Sequence, residues 1–273
     1  MNRILSMAQT EFRIALRNRW VAVSVAMMVL FSLVLSAAGS APTGALGADR
    51  LSVVVASLTS LAVYLVPLIA LLMSFDALAG EVERGTLPLL LTYPLSRTEI
   101  LLGKLLAHVT VLAIALAAGY GLAALAAWLG DDRALAGLPA LWRLFWSSMV
   151  LGAVFLGAGY ALSALSRRPS GAAGLAIGLW LGLIVLYDLG LLAALVADDG
   201  GRFTTDIFPW AMLANPADAF RLFNLSASQA TAAATGLSGA ANSIPAWAAL
   251  SSLALWPFAA LALAVAAFRR VTP

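Results

Sequence analysis

Six long apolar stretches, separated by shorter segments rich in charge, glycine or proline, divide the chain. Each stretch is long enough for a transmembrane helix, since the bilayer's hydrocarbon core is about 30 Å thick and needs about 20 helical residues. We expect all of them to be α-helices, because a backbone exposed to lipid must satisfy its own hydrogen bonds. The pattern predicts an all-α integral membrane protein with six transmembrane helices. The predicted spans are residues 20–38, 53–75, 105–129, 144–165, 172–196 and 247–268.

The segment before the first apolar stretch, residues 1–19, is too polar to span a membrane but has helical periodicity. At about 100° per residue, seven apolar residues gather on one side and five polar ones on the other. This predicts an amphipathic helix lying on the inner leaflet, with its arginines near anionic headgroups. A solvated basic terminus is the alternative, because Glu11 and Arg19 fall on the wrong side. The apolar set is Ile4, Leu5, Met7, Ala8, Phe12, Ala15 and Leu16, and the polar set is Ser6, Gln9, Thr10, Arg13 and Arg17.

Composition and charge support this interpretation and orient the chain. With 62% apolar residues, 11% charged residues and a mean hydropathy of +0.96, the chain is too apolar for a soluble domain. Basic residues concentrate on cytoplasmic segments, so their distribution predicts that both termini are cytoplasmic and argues against a nucleic-acid partner. On that topology the inner residues are Arg3, Arg13, Arg17, Arg19, Arg84, Arg97, Lys104, Arg167, Arg168, Arg269 and Arg270. The outer ones are Arg50, Arg133, Arg143, Arg202 and Arg221.

The first apolar stretch also resembles a cleaved signal peptide, because basic residues precede it and the small residues Ser36-Ala37-Ala38-Gly39 follow. It is longer than the usual apolar region of about 7–15 residues, and five further stretches follow, which favours a retained span. Cysteine is absent. Disulfides, thiolate metal sites and cysteine nucleophiles are therefore excluded.

The break between the second and third stretches, residues 77–96, crowds acids, bases, glycines and prolines around a short leucine block. At its end, Ser96 and Glu99 have the spacing of a capping box, and Leu95 and Ile100 are placed as a hydrophobic staple. The third helix is therefore predicted to begin near Arg97, outside the membrane, and to cover residues 97–129.

The leucine block itself is predicted to form a separate short helix. Thr86 can cap its start, Pro88 is acceptable in its first turn, and Pro94 prevents it from continuing into the next helix. An exposed apolar patch usually has a partner, so this cytoplasmic helix is predicted to contact another protein. Alternatively the leucines lie back on the membrane or pack under the bundle. The apolar residues are Leu87, Leu89, Leu90, Leu91 and Tyr93.

The longest non-spanning segment, residues 198–246, is predicted to face the outer side. Its first half is rich in aromatic residues, and Asn215-Pro216-Ala217-Asp218 can start a helix within it. This half is expected to lie in the outer interface or to dip back into the bundle. Its second half, residues 226–243, is small and polar and is predicted to be a loose loop.

Ionisable and small residues inside the stretches leave several alternatives open. Asp188 is the only carboxylate well inside a predicted span, so it is a candidate for proton relay or substrate contact, or a hydrogen-bonding partner of a neighbouring span. The single histidine, His108, cannot build a metal site alone and is expected to be a packing residue, so no metal site is predicted. Gly174, Gly178 and Gly182 allow close approach of another helix, either within the subunit or in a dimer.

No Gly-x-x-x-x-Gly-Lys-Ser/Thr motif occurs in the chain. Gly103-Lys104 lacks both the upstream glycine and the following hydroxyl residue. The chain therefore does not bind ATP through a P-loop.

Several pieces of the chain together resemble membrane subunits of ATP-binding-cassette transporters of the ABC-2 type. They are the amphipathic start, the six spans, Gly80-Glu81-Val82-Glu83-Arg84-Gly85-Thr86 before the leucines, and Ile100-Leu101-Leu102-Gly103-Lys104. Within that family the chain is most similar to the permeases of nitrous-oxide-reductase maturation systems. The most telling pieces are Phe75-Asp76, Tyr93-Pro94-Leu95-Ser96-Arg97 and Asn215-Pro216-Ala217-Asp218-Ala219-Phe220. The resemblance runs the whole length and implies the fold of type V exporters.

The resemblance implies a homodimer in the bacterial inner membrane, joined to two cytoplasmic ATPase subunits. Those subunits would bind ATP and Mg, so this chain would hold no cofactor and would not itself be an enzyme. Residues 81–94 would enter a groove on each ATPase, although family permeases often have a polar residue where Pro88 stands. The implied ATPase-coupling residues are Glu81, Glu83, Arg84, Gly85, Thr86, Leu87, Leu89, Leu90, Leu91, Tyr93, Pro94 and Arg97.

The same resemblance implies a periplasmic repeat protein as partner and a role in assembling the copper centres of nitrous oxide reductase. Without cysteine, and with one histidine, the chain offers no evident path of copper ligands. We therefore expect it to transmit the ATPase cycle mechanically, with export of a small substrate such as a sulfur species as the rival. An ion-coupled carrier or channel using Asp188 is the alternative from another class. The expected periplasmic contacts are Phe208, Trp210, Asn215, Asp218 and Phe220.

Overall fold

The computed structural model describes residues 2–38, 50–130, 136–198, 200–225 and 244–271, and in these ranges every regular element is helical. The predicted loose loop at residues 226–243 lies outside them. Two π-helical turns occur at Leu181–Leu186 and Phe203–Ile207. The helices are α1 (Asn2–Leu16), α2 (Arg19–Ala38), α3 (Arg50–Ser74), α4 (Ala79–Glu83), α5 (Leu87–Thr92), α6 (Arg97–Trp128), α7 (Leu138–Leu165), α8 (Pro169–Trp180), α9 (Tyr187–Asp198), α10 (Phe208–Leu213), α11 (Pro216–Leu225) and α12 (Ala246–Arg269).

Five helical segments of the described chain are long and apolar enough to cross a bilayer. A sixth is obtained when Arg3–Leu16 and Val21–Ser36 are counted together, and these two helices meet at a bend of 71°. The all-α prediction is confirmed, and the count of five to six agrees with the six predicted spans. The five segments are Arg50–Glu83, Arg97–Trp128, Leu138–Leu165, Pro169–Asp198 and Trp247–Arg269.

Helix α7 lies at the centre of the bundle and packs against α3, α6 and α12. Its glycines allow this close approach. A Cβ atom built on Gly152 would lie 2.1 Å from Leu112 of α6, and one on Gly159 would lie 1.9 Å from Ser74 of α3. Glycine at such positions lets helix backbones approach, which is how helices associate in a membrane without a hydrophobic driving force.

The fifth span, Pro169–Asp198, lies at the edge of the bundle and is largely exposed. Trp180 ties it to α3 by donating from Nε1 to the carbonyl of Tyr64 at 3.0 Å. No described atom lies within 4 Å of a Cβ built on Gly174, Gly178 or Gly182. The close packing of these glycines within the subunit, one of the two predicted alternatives, is therefore not observed.

The predicted apolar side of helix α1 is only partly buried against the bundle. Met7 and Ala15 are buried, because α1 packs along α6, and a Cβ on Gly103 of α6 would lie 2.6 Å from Met7. Leu5 and Leu16 of the predicted apolar side remain exposed. Only part of that side faces the protein, and the interfacial placement of the rest stays a prediction.

The start of α1 and the end of α12 lie at the same end of the bundle as the 77–96 break. Arg97 at the start of α6 donates from Nη1 to the carbonyl of Phe268 and, at 2.8 Å, to that of Val271 after α12. Arg3 of α1 donates from Nη1 to the carbonyl of Pro94 at 2.8 Å. We call this end the coupling end, and the end that carries α10 and α11 the opposite end.

Candidate functional site

Residues 77–96, called the coupling segment below, form two short helices joined by a tight turn. Gly85 between them has a φ of +67°, a left-handed conformation that favours glycine. Ser163 of α7 accepts hydrogen bonds at its Oγ from the backbone N–H groups of Leu78 and Ala79, both at 2.9 Å. A buried hydroxyl on a central helix therefore satisfies two donors at the start of α4, where the helix itself provides no acceptor.

The start of α5 differs in one respect from the prediction. Thr86 occupies the N-cap position, but its side chain makes no cap and instead donates to the carbonyl of Glu81 at 3.3 Å. Its φ of −86° and ψ of −21° are helical, whereas a capping residue normally adopts an extended conformation. Pro88 lies in the first turn, and α5 ends before Tyr93, which is extended ahead of Pro94.

The start of α6 agrees with the predicted capping box. The Ser96 Oγ accepts from the backbone N–H of Glu99 at 3.1 Å, and a Glu99 carboxylate oxygen accepts from the backbone N–H of Ser96 at 2.7 Å. This reciprocal pair begins the helix at Arg97. The coupling segment therefore ends at a defined residue and is not continuous with the third span.

Lys104 joins three elements under the coupling segment. Its Nζ donates to Oε1 of Glu11 on α1 and to Oε1 of Glu81 on α4, both at 2.7 Å. The Lys104 side chain is 2% exposed. Breaking a buried pair by removing one partner costs about 3–5 kcal/mol, because the remaining charge stays buried without compensation. The network thus fixes α4 against both α1 and α6.

Lys104 and Glu11 were not among the residues selected from the sequence. The available signal was the position of Glu11 on the apolar side of α1, which indicates a buried carboxylate that needs a cation. That cation is Lys104 of α6. It follows Gly103, at which α6 lies directly against Met7 of α1.

His108 continues this polar line into the bundle, one turn beyond Lys104. Its Nδ1 lies 2.7 Å from the Tyr160 hydroxyl of α7, and the two rings stack. Among the described residues no group of three or more His, Cys, Asp or Glu could hold a metal ion. Through its contact with Tyr160, His108 packs between α6 and α7.

The structure divides the predicted ATPase-coupling residues by exposure. Leu89 and Tyr93 are 65% and 64% exposed, whereas Leu87 is fully buried and Glu81 is occupied by Lys104. Leu87 and Glu81 are thus corrected from surface contacts to anchors, because α5 buries Leu87 against the bundle and Lys104 holds Glu81 on α4. Leu90, Leu91 and Arg97 are half-buried. The remaining exposed residues are Glu83, Arg84, Gly85, Thr86 and Pro94.

A groove of about 530 Å³ lies between α1 and the end of α5. Arg3, Met7 and Thr10 contribute from α1, and Leu90 and Tyr93 contribute from the coupling segment. The exposed apolar side of α5 therefore continues into a concave surface and is not an isolated ridge.

At the opposite end, α11 dips into the bundle. The Asn215 Oδ1 accepts from the backbone N–H of Ala217 at 3.0 Å, so Asn215 caps the helix as predicted. Asn215, Asp218 and Phe220 are buried, because α11 packs against α3, α7 and α12. These three residues are therefore corrected from partner contacts to internal residues. Of the predicted contacts, Trp210 is 61% exposed and Phe208 is half-buried.

Asp188 has a partner, but not on a neighbouring span. Arg221 of α11 donates from Nη2 to Oδ2 of Asp188 and from Nη1 to Oδ1 of Asp218, both at 3.0 Å. Burial, together with the charge of Asp188, raises the pKa of Asp218 to about 7 despite Arg221. The Arg221 guanidinium thus forms ion pairs with both Asp188 and Asp218.

The fold and this site define a multi-pass helical membrane protein with a discrete, anchored surface at one end. The chain matches the family described as ABC-2 family transporter protein over residues 5–272, and it belongs to that family. It is a permease subunit of an ABC transporter, a class that works with ATPase partner subunits.

Two relatives are similar over nearly the whole length. The chain is 46% identical over 271 residues to the probable ABC transporter permease protein NosY of Pseudomonas aeruginosa, covering 98% of each chain. It is 42% identical over 274 residues to the probable ABC transporter permease protein NosY of Stutzerimonas stutzeri, covering 99% of each.

Proposed function

We propose that this chain couples ATP hydrolysis by separate cytoplasmic ATPase subunits to conformational change across the membrane, during assembly of the copper centres of nitrous oxide reductase. One observation carries the proposal. Leu89 and Tyr93 are exposed on and just after α5, and α5 packs against α4, which a buried Glu11–Lys104–Glu81 network joins to α1 and α6. Because the network fixes α4 against α1 and α6, a displacement of α4 would be passed on to both helices.

The proposed assembly contains two copies of this chain in the bacterial inner membrane and two NosF-like ATPases that bind ATP and Mg. The chain itself would carry no cofactor and catalyse no reaction. The start of α1 and the end of α12 lie at the coupling end, and the basic residues concentrate there, which supports a cytoplasmic location for that end. The names of the two relatives support the link to the nitrous-oxide-reductase system.

The proposed path of transmission starts at the coupling segment. Movement of α4 would reach α6 and α1 through Lys104 and would reach α7 through Ser163. Because α7 is packed tightly against α3, α6 and α12, it would carry the displacement to α11 at the opposite end. Rigid, close-packed elements respond to such a push as units.

A periplasmic repeat protein, NosD-like, is the proposed receiver of this movement. Trp210 and Phe208 of α10 are the proposed direct contacts, since Trp210 is largely exposed. Asn215 positions this region from inside, because its Nδ2 donates to the carbonyl of Leu183 in the fifth span at 2.6 Å.

Co-purification tests the proposal. The full chain, isolated from its native membrane in mild detergent, should carry an ATPase subunit that mass spectrometry identifies. A preparation that moves a substrate while no ATPase is associated would contradict the proposal. It would favour the ion-coupled carrier, for which the Asp188–Arg221–Asp218 group provides structural support. That alternative requires Asp188→Asn to abolish transport.

Substrate export is the second candidate within the family. Proteoliposomes that contain only this chain and its ATPase distinguish the two mechanisms. Mechanical transmission predicts ATP hydrolysis without flux of a sulfur species, while a defined ATP-dependent flux would establish export instead.

A further inference from the structure

Asp218 is a buried carboxylate that is only half satisfied. Its side chain is 1% exposed, and its Oδ1 accepts from Arg221 at 3.0 Å. Its Oδ2 is buried, and no donor in the described part of the chain makes a hydrogen bond of normal geometry to it. An acceptor in this position costs free energy unless it gains a partner.

The other carboxylate in the group, Asp188, places a second negative charge close to Asp218. Both carboxylates bind the terminal nitrogens of the single Arg221 guanidinium, so they lie close together. With both ionised the group has a net charge of −1 in a buried place, whereas one added proton makes it neutral.

The elements around α11 offer little else to balance this charge. Tyr187 beside Asp188 and Tyr64 on α3 are the titratable neighbours that interact with the group. The other ionisable residues on the helices packed against α11 are Arg50 at the start of α3, Arg143 and Tyr160 on α7, and Arg269 at the far end of α12. The sequence of α10 contains none.

We propose that Asp218 and Asp188 form a proton-binding site whose occupancy holds α11 against the fifth span. The bound proton would sit between the two carboxyl groups and give Oδ2 of Asp218 the hydrogen bond it lacks. Its loss would leave the buried Asp218 anion beside the half-buried Asp188 anion on one guanidinium and weaken the contact between α11 and α9. This site is independent of the coupling segment and does not rest on the proposed function.

Hydrogen exchange of the α11 amides in the full chain, in lipid nanodiscs, tests the consequence for the helix. Opening of α11 lets Asp218 lose its proton. The equilibrium constant for opening should therefore increase with pH, by up to about tenfold per pH unit. After correction for intrinsic exchange, this rise should extend from about pH 4 to about pH 7 and then level off. Asp218→Asn should abolish the pH dependence, and Asp206→Asn, an exposed carboxylate near the same end, should retain it.

Infrared titration detects the proton itself and does not depend on α11 opening. The wild-type chain should show a protonated carboxyl band that disappears near pH 7 and is missing in Asp218→Asn. In Asp188→Asn, its midpoint should move to lower pH, because the neighbouring negative charge is gone. A band that persists in Asp218→Asn, or a midpoint unchanged in Asp188→Asn, would overturn the proposal.

Discussion

At the scale of single residues, Lys104 shows how one buried charge organises the coupling end. An isolated buried ammonium group would be unstable, but Glu11 and Glu81 each contact it at 2.7 Å. These two carboxylates come from chain positions 93 and 23 residues away. No local sequence rule links such distant residues, which is why the sequence identified Glu81 but did not identify its partners.

Removal of the Lys104 charge should destabilise the chain strongly. Lys104→Met is expected to lower the free energy of unfolding by about 3–5 kcal/mol, because two carboxylates stay buried without a cation. Unfolding of the chain in detergent or lipid measures this. The triple variant Glu11→Leu/Lys104→Met/Glu81→Leu should recover much of the loss, since it leaves no uncompensated charge. A triple variant less stable than Lys104→Met would contradict this account.

At the opposite end, protonation of Asp218 should make the free energy of unfolding of the chain depend on pH. The folded-state pKa of Asp218 is about 7, above the ordinary value of 3.8, so the folded chain binds the proton more tightly than the unfolded chain does. This contribution is complete at low pH and is lost as pH rises between about 4 and 7, by up to about 1.4 kcal/mol per unit. Arg221→Met should extend the loss to higher pH, because removing the cation raises the folded-state pKa of Asp218 further. Unfolding at pH 5.5 and pH 8 should show a larger deficit for this variant at pH 8.

At the scale of elements, the coupling segment combines features that the sequence predicts well with others that it does not. The α6 start at Arg97 and the α11 start after Asn215 follow from local capping signals, and both agree with the structure. Which leucines of α5 face inward depends on packing against other helices. Leu87 is therefore buried and Leu89 exposed, although both belong to the same apolar run.

This division predicts different effects for two substitutions in α5. Leu89→Asp should abolish the stimulation of ATP hydrolysis by the assembled membrane complex while leaving the unfolding midpoint of the chain nearly unchanged. Leu87→Asp should lower that midpoint, because it buries an unpaired carboxylate. Leu129→Asp is the matched control, since Leu129 is 75% exposed and lies beyond the other end of α6. Equal losses of ATP hydrolysis in Leu89→Asp and Leu129→Asp would remove α5 from the coupling role.

Packing against other helices also decides which residues of the outer segment, 198–246, are exposed. The pattern predicted a helix starting at Pro216 but could not show that its polar Asn215 and Asp218 face inward, where they bind the fifth span and Arg221. The sequence pattern therefore assigns partner contacts to residues that the fold buries. Among the predicted contacts, Trp210 has a largely exposed side chain.

At the scale of the whole molecule, the fifth span remains largely uncovered by its own subunit. Gly174, Gly178 and Gly182 present a surface without close neighbours in the described chain. In the proposed homodimer this surface is available to the second copy, because small residues let helices approach closely in lipid.

Bulky substitutions test that arrangement. Gly178→Leu should leave the unfolding midpoint of the subunit unchanged but decrease the dimer fraction measured in lipid. Gly152→Leu should instead destabilise the subunit, because its Cβ would already overlap Leu112. A full dimer fraction in Gly178→Leu would show that the fifth span does not form the interface.

The central claim, that α5 is the surface on which an ATPase acts, has a direct test because the natural chain contains no cysteine. Single variants Leu89→Cys and Leu129→Cys, each purified with the native complex, would be treated with a short thiol-to-amine crosslinker. We predict a covalent product between Leu89→Cys and the ATPase subunit, and none with Leu129→Cys. An intact complex in which Leu89→Cys forms no product with the ATPase, while Leu129→Cys does, would contradict the account.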